Sequence, residues 1–495
     1  MTSLTFYGGV GEIGGNKILV EAGGTRIFLD FVMSFNQSNL YFAEFLQPKK
    51  CNGVMDFIEL GLIPRLRDMS GLYRTDYLSH CGMETSPQAG YAAVFLSHAH
   101  ADHSAYIHFL RQDIPIYASE VTKRILASME ETSAGGFNEF LTYQRTFETR
   151  PNKRGEGVTR IKGEEAKEPR NFSGLTPGDT VAIDSITVEA VAVNHSIPGA
   201  TGFLIHTPSG TIAYTGDLRF HGYGGNLTKQ FVERAAGSHP IALICEGTRI
   251  NNSDIFTEQY VQDRVAEVVR KTENLVIANY PWKDIERLRS FHEVARATGR
   301  KLALNLKQAY LLKKLEGTDA GAPALDDDNI VIYIDRKGWG LITKPDCPDY
   351  PPNIVEQDYS AWEREFLSYP NRVTCDDIHN HQSDFIVRID FFDLTDLINI
   401  RPDKGSCYIH SLTEPFDDEG EIERWRVENW LEHFGLLPYE KAHASGHASG
   451  PEITRLIEDM NPAVVFPIHT EAPGRFKEIK GVRVETPEPG KEYRL

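Results

Sequence analysis

The sequence predicts a layered α/β protein in two lobes. Three observations carry that expectation. Short apolar runs alternate with turn residues through roughly the first 225 positions. From Ile241 onward, strand-like and helix-like segments alternate as in a parallel βαβ unit. Finally, His and Asp residues stand where several apolar runs end, the position at which open α/β sheets build their sites.

In chain order, Leu4-Thr5-Phe6-Tyr7 and Ile27-Phe28-Leu29-Asp30 are the first strand-like segments. Ala92-Ala93-Val94-Phe95-Leu96 is short and wholly apolar, as a strand buried on both faces requires. Residues Ile186 to Val193 alternate apolar and polar, the period of a half-buried strand, and Ala213 to Asp217 is another strand end. Between them, Tyr143 to Asn171 holds eight Lys or Arg against five Asp or Glu and is expected to be an exposed loop.

Ala242 to Glu246, Asn274 to Ala278 and Lys301 to Leu304 form the next strands. Amphipathic helices fit Thr257 to Lys271 and Asp284 to Thr298, the second closed by Gly299. Gly321 to Asp328 and Lys344 to Pro352 are rich in Gly, Pro and Asp and are expected as loops. Glu414 to Glu440 is acidic, with a helix over Glu421 to Glu432.

The chain has 495 residues, 41% of them hydrophobic and 25% charged, enough for two or more domains. There is no apolar run of eighteen residues and no basic-then-apolar leader, so a cytoplasmic protein is expected. Cys51, Cys81, Cys245, Cys347, Cys375 and Cys407 are scattered and contain no CxxC pair, as suits reduced thiols. The net charge of −18 disfavours a polyanionic partner, although bound metal ions reverse the local potential of a cleft.

Ser97-His98-Ala99-His100-Ala101-Asp102-His103 is the densest cluster of metal-ligand types in the chain. It leaves the buried strand at Leu96. Alternate residues of an extended chain face one way, so His98 and His100 can grip one ion, while Asp102 and His103 face a second. His195, Asp217 and His469 each stand at or just past the end of an apolar run, as does Asp30. One such residue is most simply a hydrogen-bonded loop residue; several in the same position, beside residues 98 to 103, point to a metallohydrolase.

His98-Ala-His100-Ala-Asp102-His103, followed by His195 and Asp217 and preceded by Asp30, resembles the metallo-β-lactamase superfamily. Glu246 in Leu243-Ile244-Cys245-Glu246-Gly247-Thr248, His447 in His443-Ala-Ser-Gly-His447-Ala, and His469 in Pro467-Ile468-His469-Thr470 are similar to the three motifs of its β-CASP branch. The openings Gly8-Gly9-Val10-Gly11-Glu12-Ile13-Gly14-Gly15-Asn16 and Asn194-His195-Ser196-Ile197-Pro198-Gly199 resemble ribonuclease J. The resemblance implies a metallo-β-lactamase αββα sandwich, residues 1–225 and 436–495, with a β-CASP α/β domain, 226–435, inserted. A substrate strand would then run between the lobes.

The same resemblance implies two divalent ions, zinc first and manganese second, one held by His98, His100 and His195 and the other by Asp102, His103 and His469, with Asp217 bridging. Such a pair lowers the pKa of a shared water and clamps phosphate oxygens. It further implies Asp102, His447 and Glu246 as the catalytic groups, with His447 protonating the leaving 3′ oxygen and Glu246 orienting it. His443, Ser445 and Gly446 are candidate phosphate holders, and Asp30 orients ligands rather than binding metal.

Two segments depart from the family pattern: the long stretch from Asp30 to His98, and Ile409 to Phe416, where those enzymes carry a more Ser- and Asn-rich phosphate contact. The chain also runs only 26 residues past His469, so no separate dimerisation domain is expected and the oligomeric state stays open.

The expected activity is hydrolysis of single-stranded RNA. Cleavage of DNA by the same chemistry and hydrolysis of a lactone, thioester or phosphorylated metabolite are the alternatives. An inactive scaffold is disfavoured because every ligand position is filled.

Overall fold

The computed structural model describes all residues other than 44–45, 50–52, 134–137, 342, 344–349 and 415–417. Cys51, Cys347 and most of the 344–352 loop expectation lie outside the described residues. Three large sheets organise the rest. The first has seven strands in the order Phe172–Leu175, Ile116–Ser119, Ala93–Phe95, Thr25–Phe31, Lys17–Ala22, Thr2–Gly8 and Glu492–Arg494. The second has six: Thr180–Ile183, Ile186–Ala192, Thr201–Thr207, Gly210–Tyr214, Ala242–Glu246 and Val465–Ile468.

These two sheets pack face to face. Leu4, Phe6, Ile18, Val20, Ile27 and Leu29 of the first share one buried cluster with Ile186, Val188, Phe203, Ile205, Ile212 and Phe466 of the second. On the outer face of the second sheet, helices Gly225–Gly237 and Gly450–Met460 lay Phe231, Ala235, Ile453 and Leu456 against Leu204, Ala213 and Leu243. Helix Glu120–Thr132 covers the first sheet through Ile125 and Leu126. The layers therefore run helix, sheet, sheet, helix, the αββα sandwich expected.

The third sheet is wholly parallel, in the order Arg372–Thr374, Ile330–Ile334, Lys301–Leu304, Phe385–Arg388, Val276–Asn279, Cys407–His410 and Glu440–Lys441. Helices Glu258–Lys271, Ile285–Thr298 and Leu306–Leu315 bury one face through Val261, Val265, Leu288, Phe291 and Leu311. Cys375, Leu394, Leu397, Ile400 and Leu431 bury the other. With both faces covered, its strands read as unbroken apolar runs, for example Ile330-Val-Ile-Tyr-Ile334.

The helix ends follow local chemistry. Thr257 and Asp284 cap their helices by accepting from the amides of Tyr260 and Arg287, and Gly299 closes the second in the left-handed conformation, φ 71°.

Two expectations need correction. Ala242–Glu246 does not open the βαβ unit of the insert. It hydrogen-bonds in parallel to Gly210–Tyr214 on one side and Val465–Ile468 on the other, inside the sandwich. Helix Gly225–Gly237 belongs there too, whereas Glu440–Lys441 forms the far edge of the third sheet. We therefore place the insert after Glu246 rather than at 226, ending near Lys441 rather than at 435. Strand period alone does not say which sheet accepts a strand.

The second correction concerns residues 143–171. They form two small antiparallel ladders, Thr142–Gln144 with Lys167–Pro169 and Thr149–Pro151 with Val158–Arg160, anchored where Arg170 donates to the carbonyls of His108 and Leu110. The excursion is exposed at its tip but is not structureless.

Candidate metal centre

The centre lies where strand ends of both sandwich sheets meet the insert. Residues 97–103 leave the strand Ala93–Phe95, Asp217 follows Gly210–Tyr214, and His469 follows Val465–Ile468. His195 lies three residues past Ile186–Ala192. Asp30 and His469, neither a glycine, are held at φ 51° and 50°, a strained conformation that surrounding contacts must enforce.

The inward nitrogens converge. Nδ1 of His100 lies 3.0 Å from Nε2 of His98 and 3.1 Å from Nε2 of His195. On the other side, Nε2 of His469 lies 3.4 Å from Oδ2 of Asp102. Oδ2 of Asp217 stands between the two groups, 3.1 Å from Nε2 of His103, 3.5 Å from Nε2 of His469 and 3.8 Å from Nε2 of His98. The donors fall into overlapping groups, His98-His100-His195 and Asp102-His103-His469 on the two sides, His98-His103-Asp217 between them, and Asp217-Glu246-His447-His469 beside them.

The outward nitrogens of four of these histidines are taken. Nδ1 of His98 meets the Ser97 hydroxyl at 3.0 Å, and Nδ1 of His103 donates to Asp30 at 2.9 Å. Nδ1 of His195 donates to the Gly446 carbonyl at 2.6 Å, and Nδ1 of His469 meets the Thr248 hydroxyl at 2.7 Å. These bonds set the tautomers that leave Nε2 facing inward.

Asp30 is itself fixed by the Ser97 amide and hydroxyl and by the Tyr214 hydroxyl, at 2.7, 2.8 and 2.5 Å. The glycine-rich opening closes over the cluster. At Gly14, with φ 77°, a Cβ would sit 3.0 Å from Cβ of Asp102, and the Gly9 carbonyl accepts from the amide of His469.

The electrostatics suit a cation pair. Burial and neighbouring imidazoles push His98 and His195 well below the usual histidine range, and burial with Lys283 nearby takes His100 to about 3. These rings are neutral and able to ligate. Burial works against ionisation of Asp102 and Asp217, yet the surrounding histidines outweigh it and keep both ionised. Asp217 Oδ1 is buried without a hydrogen-bond partner, a costly arrangement for a carboxylate oxygen that a divalent ion would relieve. A set of imidazoles and carboxylates fits zinc or manganese.

Beside this cluster, Nδ1 of His447 lies 3.0 Å from Oε2 of Glu246 and 3.9 Å from Oδ2 of Asp217. Glu246 is fully buried and also accepts from the amides of Leu218 and Thr248. Burial opposes a charge on His447, but Glu246 and Asp217 prevail and raise its pKa to about 9. Its side chain is 21% exposed and opens onto a cavity of about 860 Å³ between the lobes, shared with Asp102, His469, Asn279 and Tyr408. The far wall of that cavity carries Glu414, Glu419, Glu423 and Glu428, with Arg424 among them.

The expected phosphate holders sit differently. His443 faces Arg287 at 3.4 Å, and burial with that guanidinium lowers its pKa to about 3, so it offers no positive charge. The Ser445 carbonyl accepts from Arg219 and His221, and its hydroxyl accepts from the His447 amide. Gly446 lies so close to His195 that a Cβ would meet Cε1 at 3.0 Å.

Sequence reasoning missed Ser97, Thr248 and Tyr214, and it missed a buried ion network behind the 442–448 loop. There Glu258, fully buried, binds Arg219 at 3.0 Å and Arg287 at 3.0 Å. Arg219 also reaches Glu286, and Arg287 the carbonyls of Ser411 and Ala444. Only Ser97, adjacent to His98, and Thr248, two residues from Glu246, carried a local signal.

Comparison with known proteins agrees with this geometry. Residues 83–234 match the beta-lactamase superfamily domain, and 439–474 match the Zn-dependent metallo-hydrolase RNA specificity domain. Ribonuclease J of Pyrococcus abyssi is 22% identical over 484 residues, 95% of this chain and 90% of that protein. Ribonuclease J of Methanocaldococcus jannaschii is 22% identical over 93% of this chain and 90% of its own length. A crystal structure of a protein of unknown function from Enterococcus faecalis V583 superposes with a TM-score of 0.70 at 24% identity, covering 100% of both chains, which supports the fold.

Fold, donor set and domain matches together define a metal-dependent hydrolase of the metallo-β-lactamase superfamily. Within that superfamily the chain resembles the β-CASP branch and is ribonuclease J-like over nearly its whole length.

Proposed function

We propose that this protein hydrolyses phosphodiester bonds in single-stranded RNA. The observation that carries the reading is the His447–Glu246 pair, its imidazole 3.9 Å from Asp217 and in the wall of a cavity of about 860 Å³ lined by both lobes. His98, His100 and His195 would hold one divalent ion and Asp102, His103 and His469 the other, with Asp217 between them. When bound, such a pair activates water and neutralises charge on the phosphate.

The remaining work falls to the chain. Ser97, Asp30, the Gly446 carbonyl and Thr248 hold the imidazoles so that no reorganisation is needed during reaction. His447, kept protonated by Glu246 at neutral pH, donates its proton to the leaving oxygen. The acidic far wall is the one feature that favours a small-molecule substrate instead, because it repels a polyanion.

The test is cleavage of end-labelled single-stranded RNA beside DNA of equal sequence, with added zinc or manganese. A protein carrying Asp102→Ala and His103→Ala is the control. RNA cleavage absent from the control supports the reading, and product length gives the mode. Cleavage of DNA alone, or of neither polymer by protein with bound metal, refutes it.

A further inference from the structure

The metal centre has a second neighbour in the insert. In the third sheet, Phe385–Arg388 lies between Lys301–Leu304 and Val276–Asn279. The helices that follow the two outer strands pack on one face of the sheet, whereas residues 391–400, which follow the middle strand, pack on the other. Adjacent connections leaving to opposite faces open a crevice at the carboxyl ends of the strands, the place where such sheets bind ligands. A cavity of about 300 Å³ lies there, with Trp282, Asn305, Lys307 and Lys337 in its wall beside the carboxylates of Asp335, Glu363, Asp390, Asp393 and Asp396.

Two lysines meet at Trp282. The Lys307 ammonium lies 4.7 Å from the centre of its ring, and Lys283 is the next residue in the chain, 6.0 Å from it. Lys283 donates to the carbonyl of Ala99, between His98 and His100, at 3.2 Å. Both lysines are half-buried, and among the described residues neither makes an ion pair, in a chain of net charge −18.

Of the carboxylates nearby, Asp335 and Glu363 pair with Lys337, Asp390 with Arg388, and Asp393 accepts from Asn305. Asp390 and Asp393 also lie in the field of Lys307, and Asp102 in that of Lys283. Two helices also begin here, Ile285–Thr298 immediately after Lys283–Asp284 and Leu306–Leu315 around Lys307, so their positive ends add to the field. An indole between two lysines is also the pairing that single-strand binders use, one surface for a base and cations for the backbone.

We propose that Lys283 and Lys307, gathered on Trp282 beside the metal-ligand loop, bind a backbone phosphate of the substrate strand next to the scissile bond. The inference rests on RNA being the substrate. It gives the strand a basic approach over the insert, apart from the cavity wall that carries Glu414, Glu419, Glu423 and Glu428.

The test uses full-length, metal-loaded protein and a fluorescent single-stranded RNA twelve-mer. Binding is read by anisotropy as a function of salt in a His447→Ala background, and turnover by steady-state kinetics in the otherwise wild-type protein. Lys283→Gln and Lys307→Gln should each weaken binding and raise KM roughly tenfold. Each should also flatten the slope of log affinity against log salt by about 0.7, the value for one single-strand phosphate contact. Lys283→Arg and Lys307→Arg should restore both, with metal content and melting temperature unchanged throughout.

Unaltered affinity and salt slope in both Gln variants, while the wild type binds and cleaves RNA, would overturn this inference alone. A wild type that neither binds nor cleaves the RNA would overturn the proposed function and this subsite together.

Discussion

Replacing Glu258 with Gln probes how the sandwich and the insert are locked around the centre. The carboxylate is fully buried and binds two fully buried arginines, Arg219 from the sandwich and Arg287 from the insert, through three contacts of 3.0 Å. The amide keeps the volume but not the charge. Arg219 retains Glu286 at 2.7 Å, whereas Arg287 is left with neutral acceptors, the carbonyls of Ser411 and Ala444.

Breaking a buried pair by removing one partner costs about 3–5 kcal/mol, because a charge is stranded. At about 2–4 °C per kcal/mol for a unit of roughly 150–250 residues, Tm should fall by on the order of 10 °C.

Turnover should fall as well, because Arg219 and Arg287 hold the carbonyls of Ser445 and Ala444 and so place Gly446 and His447. The sign with pH is fixed. Burial works against the Glu258 charge, but Arg287 and Arg219 outweigh it and hold its pKa at about 2, below its unfolded value of 4.5. Its contribution is therefore complete above about 4.5 and is lost as pH falls toward 2.

Thermal melts of wild type and Glu258→Gln across pH 7 to 3, with bound metal measured in parallel, make the assay. The gap in Tm should be widest at neutral pH and shrink on acidification. A gap under 2 °C at pH 7, or one that widens as pH falls, would refute the reasoning.

Three further outcomes are expected. His447→Ala should cut turnover on RNA by about 10²- to 10⁴-fold with bound metal near wild type by elemental analysis, since His447 lies outside the groups His98-His100-His195 and Asp102-His103-His469; loss of metal would instead make it a ligand with Asp217, Glu246 and His469. Asp30→Ala should weaken metal affinity by about 10- to 100-fold, measured by competition with a chelating dye, because His103 loses the acceptor that aims it. Gly446→Ala should lower activity in protein that stays folded, as its methyl would lie 2.8 Å from Oγ of Ser196 and 3.0 Å from Cε1 of His195; circular dichroism beside turnover separates the two effects.

Much of the centre was legible in the chain because ligand chemistry and local geometry coincide there. His98, His100, Asp102 and His103 fall within six residues, on a loop whose preceding strand is apolar enough to be recognised. His195, Asp217 and His469 are single residues, but each follows a segment of clear strand period, and a strand end in a layered α/β protein points at the site edge. The caps Thr257, Asp284 and Gly299 were likewise readable, since capping depends on neighbours a few residues away.

What the sequence by itself determined, then, was the set of groups that can bind metal and the local elements that carry them. Tertiary structure alone decided which partners aim those groups. His195 takes its orientation from the carbonyl of Gly446, 251 residues away, and His469 from Thr248, 221 residues away. A backbone carbonyl has no side-chain signature, and a lone threonine has little.

The assignment of Ala242–Glu246 to the sandwich and the Arg219–Glu258–Arg287 network belong to the same class. Periodicity reports which face of a segment is buried and composition reports charge. Neither reports which distant strand supplies the next hydrogen bond or which buried cation a buried carboxylate will meet. Those choices are made by packing whole layers together, and at this centre they convert a list of ligands into a site.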